Sequence, residues 1–414
     1  MRITYLHQYF TTPDVPGGTR SYEMARRLVE MGHDVHVVTS DQTSETTEKL
    51  SWYKTEESGI HVHWYPVPYS NKMSFWARIV AFFRFALLAS RKAASIECDV
   101  VFATSTPLTI AIPAVYASKR RKVPMVFEVR DLWPEGPIAV GALKNPMTIK
   151  AARWLEEFAY RNSKRIVALS PGMKEGIVST GYPEDLVTVI PNSCDIDLFN
   201  VEESKGMALR SQHSWLQDRP LVIYTGTIGM INGIDYMVRL AAFVRSIDPE
   251  IRFLILGSGR EEVRVRSLAK KMNVLNNNLF MLPPVPKSEV PYWLSAADIA
   301  TSFVIDVKET WNNSANKFFD ALAAGRPIAI NHGGWQAEII ENHGVGIVLD
   351  AHNIGSAATR LVGSIHDREW LVKAGSMSKR ISKEQFDRGK LAAKLEDALF
   401  CAFSSHVTQP KSGF

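Results

Sequence analysis

The stretch Leu221-Val222-Ile223-Tyr224-Thr225-Gly226-Thr227-Ile228-Gly229-Met230-Ile231-Asn232-Gly233 begins with strand formers and ends in a loop holding three glycines. A helical pattern follows over 234–245. Strand, glycine loop and helix in that order open a βαβ unit. The chain opens the same way. A strand-like run at 3–7 leads into a loop with Gly17 and Gly18, then a helical pattern over 19–31 that Gly32 stops. Further strand patterns fall at 35–39, 60–65, 100–103, 125–129, 165–169 and 187–190. The second half adds 252–256, 280–282, 299–303, 328–330 and 346–349. Helical patterns such as 261–271 and 315–324 separate them. The alternation predicts an α/β chain of two Rossmann-like, doubly wound domains. We place them at 1–195 and 220–381. A polar linker at 196–219 joins them, and a helical tail at 382–414 is expected to cross back to the first domain. Ligands of such sheets bind at the carboxyl ends of strands, where strand order reverses. With two domains, a site in the cleft between them is expected.

Length agrees with this division, since 414 residues exceed one ordinary core. The chain is 46% hydrophobic and 22% charged, which excludes disorder and collagen. The net charge of +5 is far from a histone-like excess, so no nucleic-acid partner is expected. Cys98, Cys194 and Cys401 stand at unrelated spacings and read as free thiols in a reducing compartment. The N-terminus carries no secretory pattern, so a cytoplasmic location is expected. The run 75–89, FWARIVAFFRFALLA, is broken by Arg78 and Arg84 and is too short to span a bilayer. With Lys72, Arg91 and Lys92 it reads either as an interfacial helix or as a domain helix with snorkelling arginines.

Four loops carry candidate chemistry. Gly17 and Gly18 precede a helix start, and Arg20 adds a charge; exposed N–H groups there suit a phosphate, although an ordinary turn also fits. Gly226, Gly229 and Asn232 lie in a loop whose backbone can approach a diphosphate closely, a flexible turn being the alternative. Gly257 and Gly259 form a tight turn beside phosphates or base; no G-x-G-x-x-G fingerprint for a dinucleotide is present. The fourth loop runs Trp311-Asn312-Asn313-Ser314-Ala315-Asn316-Lys317-Phe318-Phe319-Asp320. Ser314 is placed to cap the helix, and Lys317 and Asp320 share a face three residues apart. Lys317 then faces phosphates and Asp320 the hydroxyls of a ribose; an exposed ion pair between the two is the alternative. In the first half, Glu128, Arg130, Asp131 and Glu135 crowd the end of a strand, which reads as a functional site ahead of the alternative, a buried ion-pair network that positions a loop. Asp195-Ile196-Asp197 mimics a metal-binding D-x-D but falls in the linker, where turn chemistry with side-chain caps explains it. No His-rich run supports a metal, and no cofactor is expected.

Together, Gly17-Gly18, Val189-Ile190-Pro191-Asn192, Tyr224-Thr225-Gly226, Leu256-Gly257-Ser258-Gly259, Ala296-Ala297-Asp298 and Ala321-Leu322-Ala323-Ala324-Gly325-Arg326-Pro327 resemble glycosyltransferase family 4 in order and spacing. The resemblance spans nearly the whole chain. His7-Gln8-Tyr9-Phe10, Gly17-Gly18-Thr19-Arg20 and the run from Glu128 to Glu135 are similar to a bacterial branch of L-fucosamine transferases of O-antigen and capsule assembly. It implies the GT-B fold and a retaining, metal-independent transfer. The donor is a nucleotide diphospho-sugar, expected to be UDP-linked, and the acceptor is lipid-linked at the inner membrane face. It also implies donor contacts from Gly17, Gly18, Arg20, Gly226, Gly229, Asn232, Gly257, Gly259, Asn312, Asn313, Ser314, Asn316, Lys317 and Asp320. Glu128, Arg130, Asp131 and Lys317 are the implied catalytic groups. The family's paired glutamates map to Asn312 and Asp320, so neutral amides are expected near the sugar. Its basic pair maps near Met230 and Asn232, neither charged, so Lys317 is expected to supply the missing cation. Where the family often has a histidine, Arg130-Asp131 stands. The rivals are a nucleotide-sugar epimerase, which would need no acceptor, and a non-catalytic subunit of an assembly complex.

Overall fold

The computed structural model describes residues 1–13, 18–42, 51–69 and 73–407. It forms two compact units, Met1–Pro191 with Gly389–Phe414, and Asn192–Arg388. The first unit holds β1 (Arg2–Leu6), β2 (Asp34–Asp41), β3 (Tyr53–Glu57), β4 (Ile60–Pro66), β5 (Val100–Thr104), β6 (Met125–Val129), β7 (Arg165–Ala168) and β8 (Val187–Val189). Their order is β3-β4-β2-β1-β5-β6-β7-β8, with every pair parallel except β3–β4. β5 and β6 are buried at every residue, as a parallel sheet covered on both faces requires. β3 was not legible in the sequence. Its Tyr-Lys-Thr-Glu-Glu is polar because it is the sheet edge, and it turns into β4 through Ser58 and Gly59, both at positive φ.

The second unit holds β9 (Leu221–Thr225), β10 (Arg252–Leu256), β11 (Leu279–Leu282), β12 (Ile299–Thr301), β13 (Ile328–Ile330) and β14 (Gly346–Val348). Their order is β11-β10-β9-β12-β13-β14, all parallel. Order reverses between β9 and β12, so the loops after these two strands flank a natural crevice.

Two boundaries differ from the sequence reading. Residues 196–219 are not a loose linker: they form the helices Ile196–Phe199 and Glu203–Ser211 and belong to the second unit. Phe199 and Leu216 are buried in its core. Gly206 lets the second of these helices approach closely, since a Cβ there would lie 2.6 Å from the Ser295 carbonyl carbon. The polar outer face of this segment masked its few apolar anchors. The tail, in turn, is not one helix from 382. The helix Arg368–Gln385 ends first, and the helix Arg388–Val407 follows. That last helix buries Leu391, Ala392, Leu395, Ala398, Leu399 and Ala402 in the first unit.

The helix Phe75–Ser95 is capped by Ser74, whose Oγ accepts from the Ala77 N–H at 3.3 Å. Ala81, Phe85, Ala89 and Ala93 face the core. Trp76, Val80, Phe83 and Leu87 form an opposite stripe, with Trp76 70% exposed. Lys92 turns inward over the Trp52 ring, 5.7 Å from its centroid. Lys72 lies outside the described residues. Among the described residues no helix is long and apolar enough to cross a membrane.

Candidate functional site

In the second unit, the loops after β9 and β10 are zipped together. The Gly226 N–H donates to the Leu256 carbonyl at 3.0 Å and the Ile228 N–H to the Ser258 carbonyl at 2.8 Å. A Cβ at Gly257 would sit 1.9 Å from the Gly226 carbonyl oxygen, and one at Gly259 2.4 Å from that of Ile228. These two glycines were expected to face the donor. The structure instead uses their missing side chains to seat the first loop. Gly229 lies against the Asn232 amide, and Gly233 (φ +56°) against the Val304 carbonyl of the loop after β12.

Lys317 is the second residue of the helix Asn316–Ala323. Its Nζ donates to the Tyr224 hydroxyl at 3.0 Å and to the Asn232 Oδ1 at 3.2 Å, and lies 4.6 Å from the Tyr224 ring centroid. A Cβ at Gly226 would touch its Cε at 3.4 Å. The ammonium therefore rests on the Gly226–Gly233 loop. Both hydrogen-bond partners are neutral: burial raises the Tyr224 phenol, which stays protonated and donates to the Thr227 carbonyl at 2.7 Å. Among the described residues, no carboxylate forms an ion pair with Lys317. Burial lowers its amine to about 8, against the opposing pull of Asp320. Tyr224 was not singled out as a site residue, because a strand tyrosine reads first as core.

Asp320 does not form the simple i,i+3 pair. Its Oδ2 accepts from the Lys287 Nζ at 2.5 Å, while its Oδ1 is buried with no partner. One oxygen, not both, remains for a hydroxyl. Lys287 was missed; its signal was a lysine in the loop leaving β11. Ser314 does not cap the helix. Ala315 holds the cap position without a side-chain bond, and the Ser314 Oγ accepts from the Asn192 N–H at 2.9 Å. Asn312 ends the 3-10 turn Lys308–Asn312. The Asn313 carbonyl accepts from Trp335 Nε1 and Gln336 Nε2 at 3.3 and 3.2 Å, and Asn316 begins the helix. His332, also missed, has a buried Nε2 with no partner.

In the first unit, Arg20 and Glu128 turn toward each other. Arg20 Nε and Nη2 donate to the Glu128 Oε1 at 3.1 and 2.8 Å, with side chains 3% and 1% exposed. Arg20 also holds the carbonyls of Ile190 and Pro191 at 2.9 and 2.7 Å. Thr104 Oγ1 donates to the Glu128 Oε2 at 2.7 Å. Burial alone would raise the Glu128 carboxyl; Arg20 and Arg130 outweigh it and hold it below the usual range. This pair is an internal strut, which corrects both the donor role of Arg20 and the catalytic role of Glu128. Gly18 is exposed, its carbonyl accepting from Thr11 Oγ1 at 3.2 Å, and Gly17 lies outside the described residues. Arg130 and Asp131 stand in front of the strut, at the end of β6. Arg130 Nη1 lies 3.4 Å from His7 Nε2, and Thr106 Oγ1 donates to the exposed Asp131 at 3.1 Å. His7 Nδ1 and both amide atoms of Gln8 are buried without partners. Burial, then Arg130, lowers His7 well below the usual range, so its ring is neutral. His7 and Gln8 follow β1 and were not read as site residues. Asp195 makes an ion pair with Arg388 at 3.2 Å, and its side chain accepts no capping hydrogen bond from the helix Ile196–Phe199, so the first aspartate of the D-x-D is held by charge rather than as a helix cap.

The chain matches two family models. Residues 17–193 match the glycosyl transferase 4-like domain, and residues 208–384 match glycosyl transferases group 1. It is a GT-B glycosyltransferase. This member is 23% identical over 287 residues to the putative colanic acid biosynthesis glycosyl transferase WcaI of Escherichia coli, covering 66% of this chain and 69% of the relative. It is 24% identical over 371 residues to a D-inositol 3-phosphate glycosyltransferase of Xylanimonas cellulosilytica, 85% of each chain. Among solved structures, Anabaena HepE in complex with UDP superposes with a TM-score of 0.74 at 15% identity, covering 97% of this chain and all of that one. Sucrose-phosphate synthase from Thermosynechococcus elongatus gives 0.78 at 14% identity, covering 98% and 99%.

Proposed function

We propose that this glycosyltransferase retains anomeric configuration and moves a sugar from a UDP-linked donor to a lipid-linked acceptor in bacterial surface polysaccharide synthesis. An N-acetylated amino sugar is the donor sugar we favour. In that reaction the bond from the sugar's anomeric carbon to the diphosphate breaks. A bond to the acceptor oxygen forms on the same face, and the acceptor proton passes to the leaving diphosphate. The second unit binds the donor, with the Gly226–Gly233 backbone and Lys317 on the diphosphate and Asp320 Oδ1 on a ribose hydroxyl. Asn312, Asn313 and Asn316 offer amides toward the sugar, and Lys317 rather than a metal ion stabilises the leaving charge. In the first unit, Arg130, Asp131 and the neutral His7 receive the acceptor.

The observation that carries this reading is Lys317: a cation on a glycine-loop backbone, bonded only to neutral partners. The names of similar proteins support it, since HepE is solved with UDP and with UDP-glucose and WcaI is named for colanic acid biosynthesis. Thermal shift with UDP tests it. UDP raises the melting temperature of the wild type. Lys317→Met weakens UDP about a hundredfold and abolishes transfer. Unchanged UDP affinity in this variant refutes the reading.

The exposed stripe Trp76, Val80, Phe83 and Leu87, flanked by exposed Arg84 and Arg91, fits an anionic membrane surface. The wild type is then expected to float with anionic liposomes at low salt and to be released at high salt. Trp76→Ser with Leu87→Ser loses flotation while UDP binding persists. Flotation that survives this double change rules out the stripe.

A further inference from the structure

We infer that Asp34, His36 and His61 form a site for a divalent transition-metal ion, with His63 holding the His36 ring from behind. No run of histidines marks this site in the sequence, because strand pairing builds it. β2 and β4 are parallel, and His36 is the register partner of His61. Asp34 and His63 lie two residues away along their own strands, so all four side chains share one face. The Asp34 Oδ1 lies 3.2 Å from the His36 Nε2 and 3.9 Å from the His61 Nε2. All three donor atoms fall within 4.8 Å of one another. An ion bound tetrahedrally at about 2.1 Å separates its ligand atoms by about 3.4 Å, so the three need little movement to close on it.

The second layer fits the same ion. A ring that ligates through Nε2 carries its proton on Nδ1. The His36 Nδ1 lies 3.1 Å from the His63 Nε2, which accepts that proton's hydrogen bond and fixes the tautomer. The His63 Nδ1 then keeps its own proton; that atom is buried without a partner. Asp34 and His61 side chains are 45% and 47% exposed, which leaves the remaining coordination positions to water. Two imidazoles and one carboxylate select zinc, nickel or copper over magnesium or calcium. Lys54 and Lys92 border the same depression and oppose a cation, while Arg2 is held by Glu97 at 2.6 Å. The ion is thus exchangeable. The site lies at the amino ends of β2 and β4, whereas His7 and Arg130 follow the carboxyl ends of β1 and β6, so its role is to pin β2 to β4 rather than to act in transfer.

The test uses the full chain after chelator treatment, titrated with zinc chloride by calorimetry and thermal shift. One ion per chain is expected, with a rise in melting temperature that chelator reverses and magnesium does not reproduce. Asp34→Asn and His61→Ala, both at exposed positions, each weaken zinc at least tenfold with circular dichroism unchanged. Lys54→Met tightens it. No saturable uptake overturns the proposal, as does zinc binding unchanged in both ligand variants. Uptake of inorganic phosphate in place of zinc, lost in Lys54→Met, also overturns it.

Discussion

Arg20 and Lys317 are each a cation at a helix start, Arg20 after the Gly17-Gly18 pair in sequence and Lys317 against the Gly226–Gly233 loop in space. The structure treats them oppositely. Arg20 meets a carboxylate and two carbonyls inside its own unit. Lys317 meets a phenol and an amide, while the carboxylate one turn on is claimed by Lys287. A cation neutralised where it stands is a strut. A cation held by neutral acceptors is still short of a counter-charge, and an anionic ligand can supply it. Position beside a glycine loop therefore does not assign a role; the charge balance around the cation does.

The largest effect separating the two is on stability. Arg20→Met leaves Glu128 buried and unpaired and is expected to cost about 3–5 kcal/mol in denaturant unfolding of the first unit. Arg20→Met with Glu128→Gln costs less than the single change, because no bare charge remains. UDP affinity of the folded double variant stays at the wild-type value. Native stability in Arg20→Met together with lost UDP binding would erase the contrast and return Arg20 to the donor site. Lys317→Met behaves the other way, losing UDP while unfolding no more easily than the wild type, because it removes a buried ammonium whose desolvation opposes folding.

The contrast also explains what was legible in the sequence. The parallel strands of both sheets were readable because they are short apolar runs between helical patterns. β3 was not, since an edge strand needs only one buried face and its Lys54, Glu56 and Glu57 read as loop. Lys317 stood out in the sequence because Met230 and Asn232 replace the expected basic pair, which would leave a diphosphate without a cation. Lys287, Tyr224, His7 and Gln8 did not, because their roles come from distant partners. Gly257 and Gly259 were correctly placed at a strand end yet misassigned. A glycine that admits a ligand and one that admits a neighbouring loop look the same until the neighbour is in place.

The smallest effect, and the sharpest, is in pH. With its amine lowered to about 8, Lys317 in the free protein loses its proton as pH rises through 8. A bound diphosphate favours the ammonium and raises that value. UDP affinity is therefore flat just below pH 8 and falls above it, by at most tenfold per unit. The stability of the ligand-free protein moves the opposite way. Between pH 8 and the ordinary lysine value near 10.5, the unfolded chain keeps a proton that the folded chain has released, so this residue's contribution to stability increases with pH. Lys317→Arg keeps its charge across this window and should lose the alkaline fall in affinity. Arg20 is paired to Glu128 inside the first unit, so Arg20→Lys should leave the pH profile of UDP binding unmoved. Calorimetry of UDP binding from pH 7 to 9.5 reads both variants, and a wild-type profile without a break near 8 would show that Lys317 is already neutralised within the protein, as Arg20 is.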